Sequence, residues 1–313
     1  LVGKALWKQV QVPSILFGRA VVPTCNTLAE KIQRKENKIW RHTMGIGGYS
    51  TVAGLRGEMG ASLMKTRIMK SSLQFVREVK NGKFENIKEM MEDIIKMKKG
   101  NWYRVVNSYL RELKIDWEDI YGMTKEDINK MMKNYDTKLW TKTLEEKSTL
   151  KYYKEGKTSM GYEGCYRNNA ESMLYAQARI NALKLEEAIG RGQRFYDQTC
   201  KLCGLEEEDL LHFMLRCPKL EKKRNKEILN DEIEEPEEKL TYFLFKQENH
   251  QEKGRMIKDM WYLRRSILKF KKECQVREEQ ENKKNKLQNT DPGLRRHVEM
   301  LNRRKRGVSE LRG

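Results

Sequence analysis

The residues best suited to chemistry are three cysteines and one histidine in the segment CKLCGLEEEDLLHFMLRC, residues 200–217. Their spacing is Cys200-x2-Cys203-x8-His212-x4-Cys217. Zinc binds four such sulfur and nitrogen ligands in a tetrahedron, and a full set of four protein ligands leaves no open position for a reacting water. We therefore predict a structural rather than a catalytic Zn²⁺, with four ligands: Cys200, Cys203, His212 and Cys217.

The local sequence must bring His212 and Cys217 to the same ion. Apolar residues on both sides of His212 predict a short helix there, yet residues five apart on an ideal helix point about 140° away from each other. Pro218 resolves this conflict, because it disfavours helical conformation at Cys217 and suits the first position of a new helix. We expect Cys217 at a helix N-terminus, where the dipole and free N–H groups favour a thiolate.

The residues between the ligands fit a closed metal site. Gly204 is expected to close the turn that carries the first two cysteines, and the acids at 206–209 are interpreted as first-turn residues of the next helix. Three thiolates, a neutral imidazole and Zn²⁺ carry a net charge of about −1, which nearby basic residues can offset: Arg216, Lys219 and Lys222. A redox Cys-x-x-Cys needs a βαβ context, and the sequence offers none.

The elements that position these ligands are predicted to be helices. The chain of 313 residues is 38% apolar and 35% charged, which is poorer in core formers than an ordinary domain. It has five prolines, and its common Lys, Glu, Leu and Met residues favour helix. We predict a mainly α fold of about two domains.

No apolar run approaches the roughly 20 residues that span a bilayer, so no membrane partner is expected.

The net charge of +19 and pI near 9.5 indicate a polyanionic partner, and RNA or DNA is the polyanion that we predict. Six cysteines without an obvious disulfide framework fit a reducing compartment. We expect an intracellular protein, nuclear and cytoplasmic. Three cysteines outside the cluster are interpreted as plain thiols: Cys25, Cys165 and Cys274.

A basic helix is predicted near the N-terminus. Thr27 and Glu30 have the spacing of a capping box, and the helix should run to about Met44. One face is apolar, with Leu28, Ile32 and Ile39. Another face is basic with few acids, and it is predicted to contact phosphates because ordinary solvated faces mix both signs of charge; its residues are Lys31, Arg34, Lys38 and Arg41.

The rest of the chain is predicted as further helices with one linker. The run VQVPSILFG at 10–18 indicates a buried strand or a helix start, and Thr124 with Asp127 three residues later indicates another helix N-terminus. Helices are also expected at 84–99, 102–113, 170–189 and 219–270. The glycine-containing segment 157–169 is the candidate linker. The charged tail from 270 is expected to be a frayed helix or disordered.

Two regions of the chain resemble one protein family. VPSILFG, the basic helix LAEKIQRKENKIWRHTMGI and LRGEMG at 55–60 resemble the thumb, just downstream of the palm, in non-LTR (LINE-type) retrotransposon reverse transcriptases. AQARINALKLEEAIGRG, CKLCGLEEEDLLHFMLRCP and the following Arg224 resemble that family's C-terminal zinc-binding region. The similarity covers about 1–80 and 140–225, and the zinc region is its more specific part.

The resemblance implies a thumb-like basic helical region at 1–80 and a helical connector at 81–156. A helix plus a CCHC zinc knuckle at 157–230, a helical segment at 231–269 and a charged tail at 270–313 complete the predicted organisation. The zinc ligands would be those named above, and the basic stripe would face phosphates. We extend the predicted nucleic-acid contacts to five more basic residues: Lys65, Arg67, Arg179, Arg191 and Arg194.

The same resemblance limits the expected activity. The family's polymerase carboxylates and an endonuclease motif are absent from this sequence, so the chain alone is not expected to polymerise or to cut. It begins with Leu, and we expect the fingers and palm upstream in a longer polyprotein.

Two other functions remain open at this point. One is a zinc-containing helical scaffold for protein interactions, in which the basic tail with RRKR at 303–306 serves nuclear import. The other is a zinc hydrolase, which the full set of four ligands argues against.

Overall fold

A computed structural model describes residues 2–22, 26–47, 51–164, 166–229, 232–246 and 248–288, together with Arg296 and Met300. The described chain is mainly helical, as predicted. None of its helices combines the length and the apolar character needed to cross a membrane. Cys25, Cys165 and the basic run at 303–306 lie outside the described residues.

The first half of the chain contains these α-helices: α1 Val2–Leu6, α2 Val12–Leu16, α3 Asn26–Thr43, α4 Val52–Met59, α5 Met64–Lys80, α6 Glu85–Met97, α7 Asn101–Leu113, α8 Trp117–Gly122 and α9 Lys125–Glu145. The second half contains α10 Lys151–Gly156, α11 Ala170–Arg179, α12 Glu186–Gly190, α13 Lys226–Leu229, α14 Pro236–Thr241 and α15 His250–Gln288. Short π-helices occupy Trp7–Gln11, His212–Arg216 and Tyr242–Lys246, and 3-10 turns occupy Ser148–Leu150 and Pro218–Lys223.

The chain divides into two compact units, Leu1–Met260 and Trp261–Gly313. The boundaries predicted at 80, 156 and 230 all lie within the first unit. Helix α15 continues to Gln288, so the stretch 270–288 is helical, which agrees with the helical alternative for the charged tail and not with disorder. On this helix Tyr262 is 46% exposed.

Helix α5 organises one hydrophobic core with the predicted connector. Its residues Met69, Leu73 and Val76 are fully buried against residues of α6, α7, α8 and α9. Helix α9 begins with the predicted capping box, in which the Thr124 hydroxyl accepts from the Asp127 N–H at 3.1 Å. The segment 81–145 is therefore packed on α5 by apolar burial, the main driving force of folding.

Helix α4, which contains most of the LRGEMG stretch, is buried on nearly all sides. A Cβ atom on Gly57 would lie 2.2 Å from the Tyr153 hydroxyl and 2.8 Å from a Trp140 ring carbon, so a side chain has no room there. The Arg56 guanidinium bonds Asp136 of α9 at 2.9 Å, and both side chains are buried. Each of these two charges needs the other close by, because a buried charge has lost its hydration and must be compensated by an opposite charge.

The segment 157–169 packs against α4 and is not the loose linker that its glycines indicated. The Gly161 N–H donates to the Gly57 carbonyl at 3.3 Å. Lys157 and Tyr166 are buried, and the Tyr166 hydroxyl donates to the Glu58 carboxylate. The close approach depends on Gly60, just after α4, where a Cβ atom would lie 2.7 Å from the Tyr162 backbone nitrogen, and not on the glycines of the segment itself.

The N-terminal run VQVPSILFG is a π-helix followed by α2, with Pro13 in the first helical turn. The helix-start alternative is confirmed by α2, whereas the buried strand is wrong, since α2 has no buried residue and Phe17 is 89% exposed. The buried anchor is Trp7, whose ring N–H donates to Glu36 of α3 at 2.6 Å.

Helix α3 begins at Asn26, so Thr27 lies inside the helix instead of capping it. Its fully buried residues are Ala29, Glu36 and Trp40, whereas the predicted apolar face of Leu28, Ile32 and Ile39 is half-buried.

Candidate metal centre

The four predicted ligands come together in space. One donor atom from each of Cys200, Cys203, His212 and Cys217 lies within 4.8 Å of all the others. The Cys200 and Cys217 sulfurs are 3.9 Å apart, and the Cys203 sulfur is 3.4 Å from the His212 Nε2. Sulfur ligands of a tetrahedral zinc, each about 2.3 Å from the ion, lie about 3.8 Å apart. The cluster could hold a metal ion, and its donor set is compatible with zinc.

The first two ligands sit on a tight turn. The Gly204 N–H donates to the Cys200 carbonyl at 2.7 Å, and Gly204 has φ +73°, a conformation that suits glycine. The Cys200 N–H donates in turn to the Glu206 carbonyl at 2.8 Å. An isolated antiparallel bridge joins Thr199 and Glu207 just outside the turn. The prediction that Gly204 closes this turn is confirmed.

The last two ligands converge through a π-helical turn. The Cys217 N–H donates to the His212 carbonyl at 2.8 Å, an i→i+5 bond that closes the π-helix His212–Arg216. Cys217 itself is non-helical, with φ −58° and ψ 115°, and Pro218 begins the 3-10 helix Pro218–Lys223. The predicted break before Pro218 is confirmed. The π turn was not predicted, although the five-residue spacing of two ligands was its signal, because only a wider turn brings residues five apart to one side.

Glu206 orients the histidine ligand. The His212 Nδ1 lies 2.8 Å from the Glu206 carboxylate, which leaves Nε2 to face the cysteines. A carboxylate behind a ligating imidazole fixes its tautomer and strengthens it as a metal ligand. The hydrogen bond with His212 lowers the pKa of Glu206, and the charge of Arg216 adds to this effect.

The neighbouring acids have different roles, so the interpretation of 206–209 as first-turn acids needs correction. Asp209 matches it, because its side chain accepts from the His212 N–H at 2.6 Å. Glu208 is buried, accepts from the Glu186 N–H at 3.0 Å and lies 3.7 Å from the Cys200 sulfur. Glu208 therefore connects the cluster to α12.

Burial affects the ionisation of the cysteines in the cluster. Burial raises the pKa of the Cys200 thiol to about 12. Burial also raises the pKa of Cys217, although the backbone N–H of Lys219 at the start of the 3-10 helix acts in the opposite direction. Thiolates at these positions need a positive ion to offset the lost hydration, and a divalent metal supplies that charge. The chemistry of the donor set therefore fits a metal centre.

Replacing Glu206 by Ala should weaken metal binding by about 10- to 100-fold. The imidazole would lose the carboxylate that holds its tautomer, while all four ligands remain. Competition with a chromogenic metal chelator measures the affinity. The matched control is Glu207→Ala, which removes a neighbouring exposed acid and should leave the affinity unchanged. Equal affinities for both variants would contradict this role of Glu206.

The basic stripe of α3 is exposed over three of its four residues. Lys31, Arg34 and Lys38 face solvent, and the Arg34 guanidinium lies 3.7 Å from Glu30 in an exposed pair. Such pairs contribute little and leave the cation available. Arg41 is half-buried and makes contacts within the protein.

Three other predicted contacts are engaged inside the protein. Lys65 binds Glu112 at 2.7 Å. Arg67 binds Glu36 at 2.9 Å, with 14% of its side chain exposed. Arg179 is 3% exposed and binds Glu58. The prediction that Arg179 contacts nucleic acid is therefore corrected, because its charge neutralises a buried carboxylate.

Arg191 and Arg194 lie on the loop that leads into the metal cluster. Arg191 binds both oxygens of Glu187 at 3.0 Å and remains partly exposed. Arg194 is exposed, and its guanidinium carbon lies 5.6 Å from the centre of the Phe195 ring. Of the two, Arg194 is therefore the more accessible to a phosphate.

Comparisons of the chain with protein-family models, with curated proteins and with solved structures gave no match.

Proposed function

We propose that this chain is the C-terminal, nucleic-acid-binding part of a non-LTR retrotransposon reverse transcriptase, combining a thumb-like helical region with a zinc knuckle. The observation that carries the proposal is the convergence of Cys200, Cys203, His212 and Cys217 within 4.8 Å. Their spacing and the Cys-Pro step after them are the features by which the sequence resembles that family. The proposed ion is Zn²⁺ in a structural role, because four protein ligands fill a tetrahedral shell.

The proposed mode of binding is contact with phosphates. The net charge of +19 favours a polyanion. Of the two acids on α3, Glu36 is fully buried, and Glu30 makes only an exposed pair with Arg34 at 3.7 Å. Lys31, Arg34 and Lys38 therefore present positive charge to solvent. RNA and duplex DNA both carry phosphates that such a stripe can reach, so binding should depend little on sequence.

Reversing three charges on α3 tests this proposal. The variant Lys31→Glu, Arg34→Glu, Lys38→Glu should bind RNA hairpins and duplex DNA at least tenfold more weakly at low salt. Each lost phosphate contact should also reduce the slope of log K against log salt by about 0.9 on duplex DNA. Fluorescence anisotropy over a salt series measures both quantities.

The matched control replaces three exposed lysines on α9 by Glu: Lys130, Lys133 and Lys138. It makes the same change in net charge at another surface, so a smaller loss is expected. Equal losses in both variants would mean that only the overall charge matters. Absence of binding by the unaltered chain at low salt would refute nucleic-acid binding altogether.

A helical scaffold for protein interactions is the second candidate function. Helix α6 and the residue before it expose large apolar side chains, Phe84 at 74%, Met90 at 59% and Met97 at 60%. Methionine-rich exposed faces suit adaptable protein contacts. A partner protein captured by the intact chain but lost from Met90→Lys, with no nucleic-acid binding, would favour this candidate.

A further inference from the structure

Phe195 stands almost entirely in solvent on a loop that is held at both ends. Its ring is 91% exposed. On one side Arg191 is fixed by Glu187, and on the other the Tyr196 hydroxyl donates to the Glu186 carboxylate at 2.6 Å. The loop is therefore pinned to α12 before and after Phe195. A rigid loop presents the ring without a large cost in conformational entropy on binding.

Two hydrogen-bonded turns shape the backbone of this loop. Gly190, which ends α12, has no space for a Cβ, since that atom would lie 2.7 Å from the Tyr196 ring. The Gln193 N–H donates to the Gly190 carbonyl at 2.9 Å, and the Tyr196 N–H donates to the Gln193 carbonyl at 3.2 Å. These two consecutive turns direct Phe195 to the surface beside Arg194.

A cleft next to this loop reaches the end of the basic helix. The segment after α3 contributes Ile46, whose N–H donates to the Arg41 carbonyl at 2.9 Å. The opposite side contributes Lys184, Ile189 and Gln193. The residues that line the cleft include basic side chains and no acid, although Glu187 binds Arg191 at its edge. The cleft is thus apolar with a cationic rim.

We propose that this cleft and the adjoining Phe195 bind single-stranded nucleic acid, with a base stacked on the Phe195 ring. The inference rests on the proposed nucleic-acid binding and assigns it a substrate class. An unpaired base has a free face for an aromatic ring, whereas the bases of a duplex are already stacked on one another. Arg194 beside the ring and Lys184 in the cleft are exposed cations that can bind phosphates of the same strand. Charge complementarity selects a polyanion, and the exposed ring selects one with unpaired bases.

Binding of labelled single strands of roughly 12 nucleotides, as RNA and as DNA, tests the inference against a duplex of the same length. Phe195→Ala should lower the affinity for both single strands about 5- to 100-fold. Its effect on the duplex should stay below about twofold. The salt slope should not change, because the lost contact is uncharged. Phe195→Trp should keep the affinity, and Phe195→Leu should lose it.

The control is Phe84→Ala, which removes another exposed phenylalanine, at the start of α6, and should bind like the unaltered chain. Unchanged single-strand affinity of Phe195→Ala, or equal losses for single strand and duplex, would overturn the inference. So would Phe195→Leu binding as tightly as Phe195→Trp. If the unaltered chain binds with a steep salt slope and Phe195→Ala matches it, this inference fails alone. If the unaltered chain binds nothing, the proposed function fails with it.

Discussion

Replacing Cys217 by Ser should release the metal ion and loosen the region around the cluster while α3 and α5 stay folded. Cys217 is fully buried and closes the ligand set from the turn before Pro218. A serine hydroxyl is not ionised near neutral pH, so it cannot replace the thiolate. Structural zinc contributes about 10 to 16 kcal/mol to the folding of zinc-finger peptides. Much of the local stability at 195–229 should therefore depend on the ion.

Two measurements check this prediction. Elemental analysis should find about one zinc per chain before the substitution and much less after it. Hydrogen exchange should become faster at 195–229 and remain slow in α5, which has its own core. A strong chelator should have the same effect on the unaltered chain.

Cys274→Ser is the matched control, because Cys274 is a partly exposed free thiol on α15. It should retain the full metal content and the original exchange pattern. Full retention of zinc by Cys217→Ser would show that Cys217 is not a ligand. Equal loss of protection in α5 would show that the cluster supports more than its own region.

The metal cluster could be predicted from the sequence because its determinants are local. Cys200 and Cys217 are seventeen residues apart, and the turn at Gly204 and the break at Pro218 follow from single residues with strong conformational preferences. The start of α9 was predictable for a similar reason, because Thr124 and Asp127 form a capping box there. The single helices predicted at 170–189 and 219–270 are wrong, since each range is divided into several shorter elements. At the cluster and at the start of α9, the conformational preferences of single residues agree with the spacing of the residues around them.

The sequence could not predict which basic side chains are exposed and which are buried in ion pairs, because this depends on partners far away in the sequence. Arg34 and Arg179 look alike in the sequence, yet Arg34 is exposed and Arg179 is buried beside Glu58, 121 residues away. The segment 157–169 was misjudged for the same reason. Its glycines indicated a linker, and its packing against α4, with the Gly161 N–H bonded to the Gly57 carbonyl, is visible only in three dimensions.

Replacing Arg179 by Met should destabilise the fold by about 3 to 5 kcal/mol. Glu58 is fully buried, and the Arg179 guanidinium binds it at 3.2 Å while also binding Glu163 at 2.9 Å. Burial alone would lower the pKa of Arg179, but the Glu58 carboxylate raises it above its usual range, so the guanidinium stays charged. Without it the buried carboxylate keeps a weaker partner in Lys157, 3.9 Å away.

Urea denaturation measures the cost, and two further variants identify its cause. Glu58→Gln combined with Arg179→Met should recover part of the stability, because no buried charge is then left uncompensated. Arg191→Met removes a partly exposed pair with Glu187 and should cost at most about 1 kcal/mol. A loss in Arg179→Met no larger than this would contradict the assigned role of the buried pair.

The same variant separates a structural role of Arg179 from a role in binding. If Arg179 only neutralises Glu58, the folded fraction of Arg179→Met should bind nucleic acid with the affinity and the salt slope of the unaltered chain. If Arg179 instead meets a phosphate, the slope on duplex DNA should fall by about 0.9. Because Arg179 is 3% exposed, we expect an unchanged slope, with the binding charge supplied by the exposed residues of α3 and by Arg194.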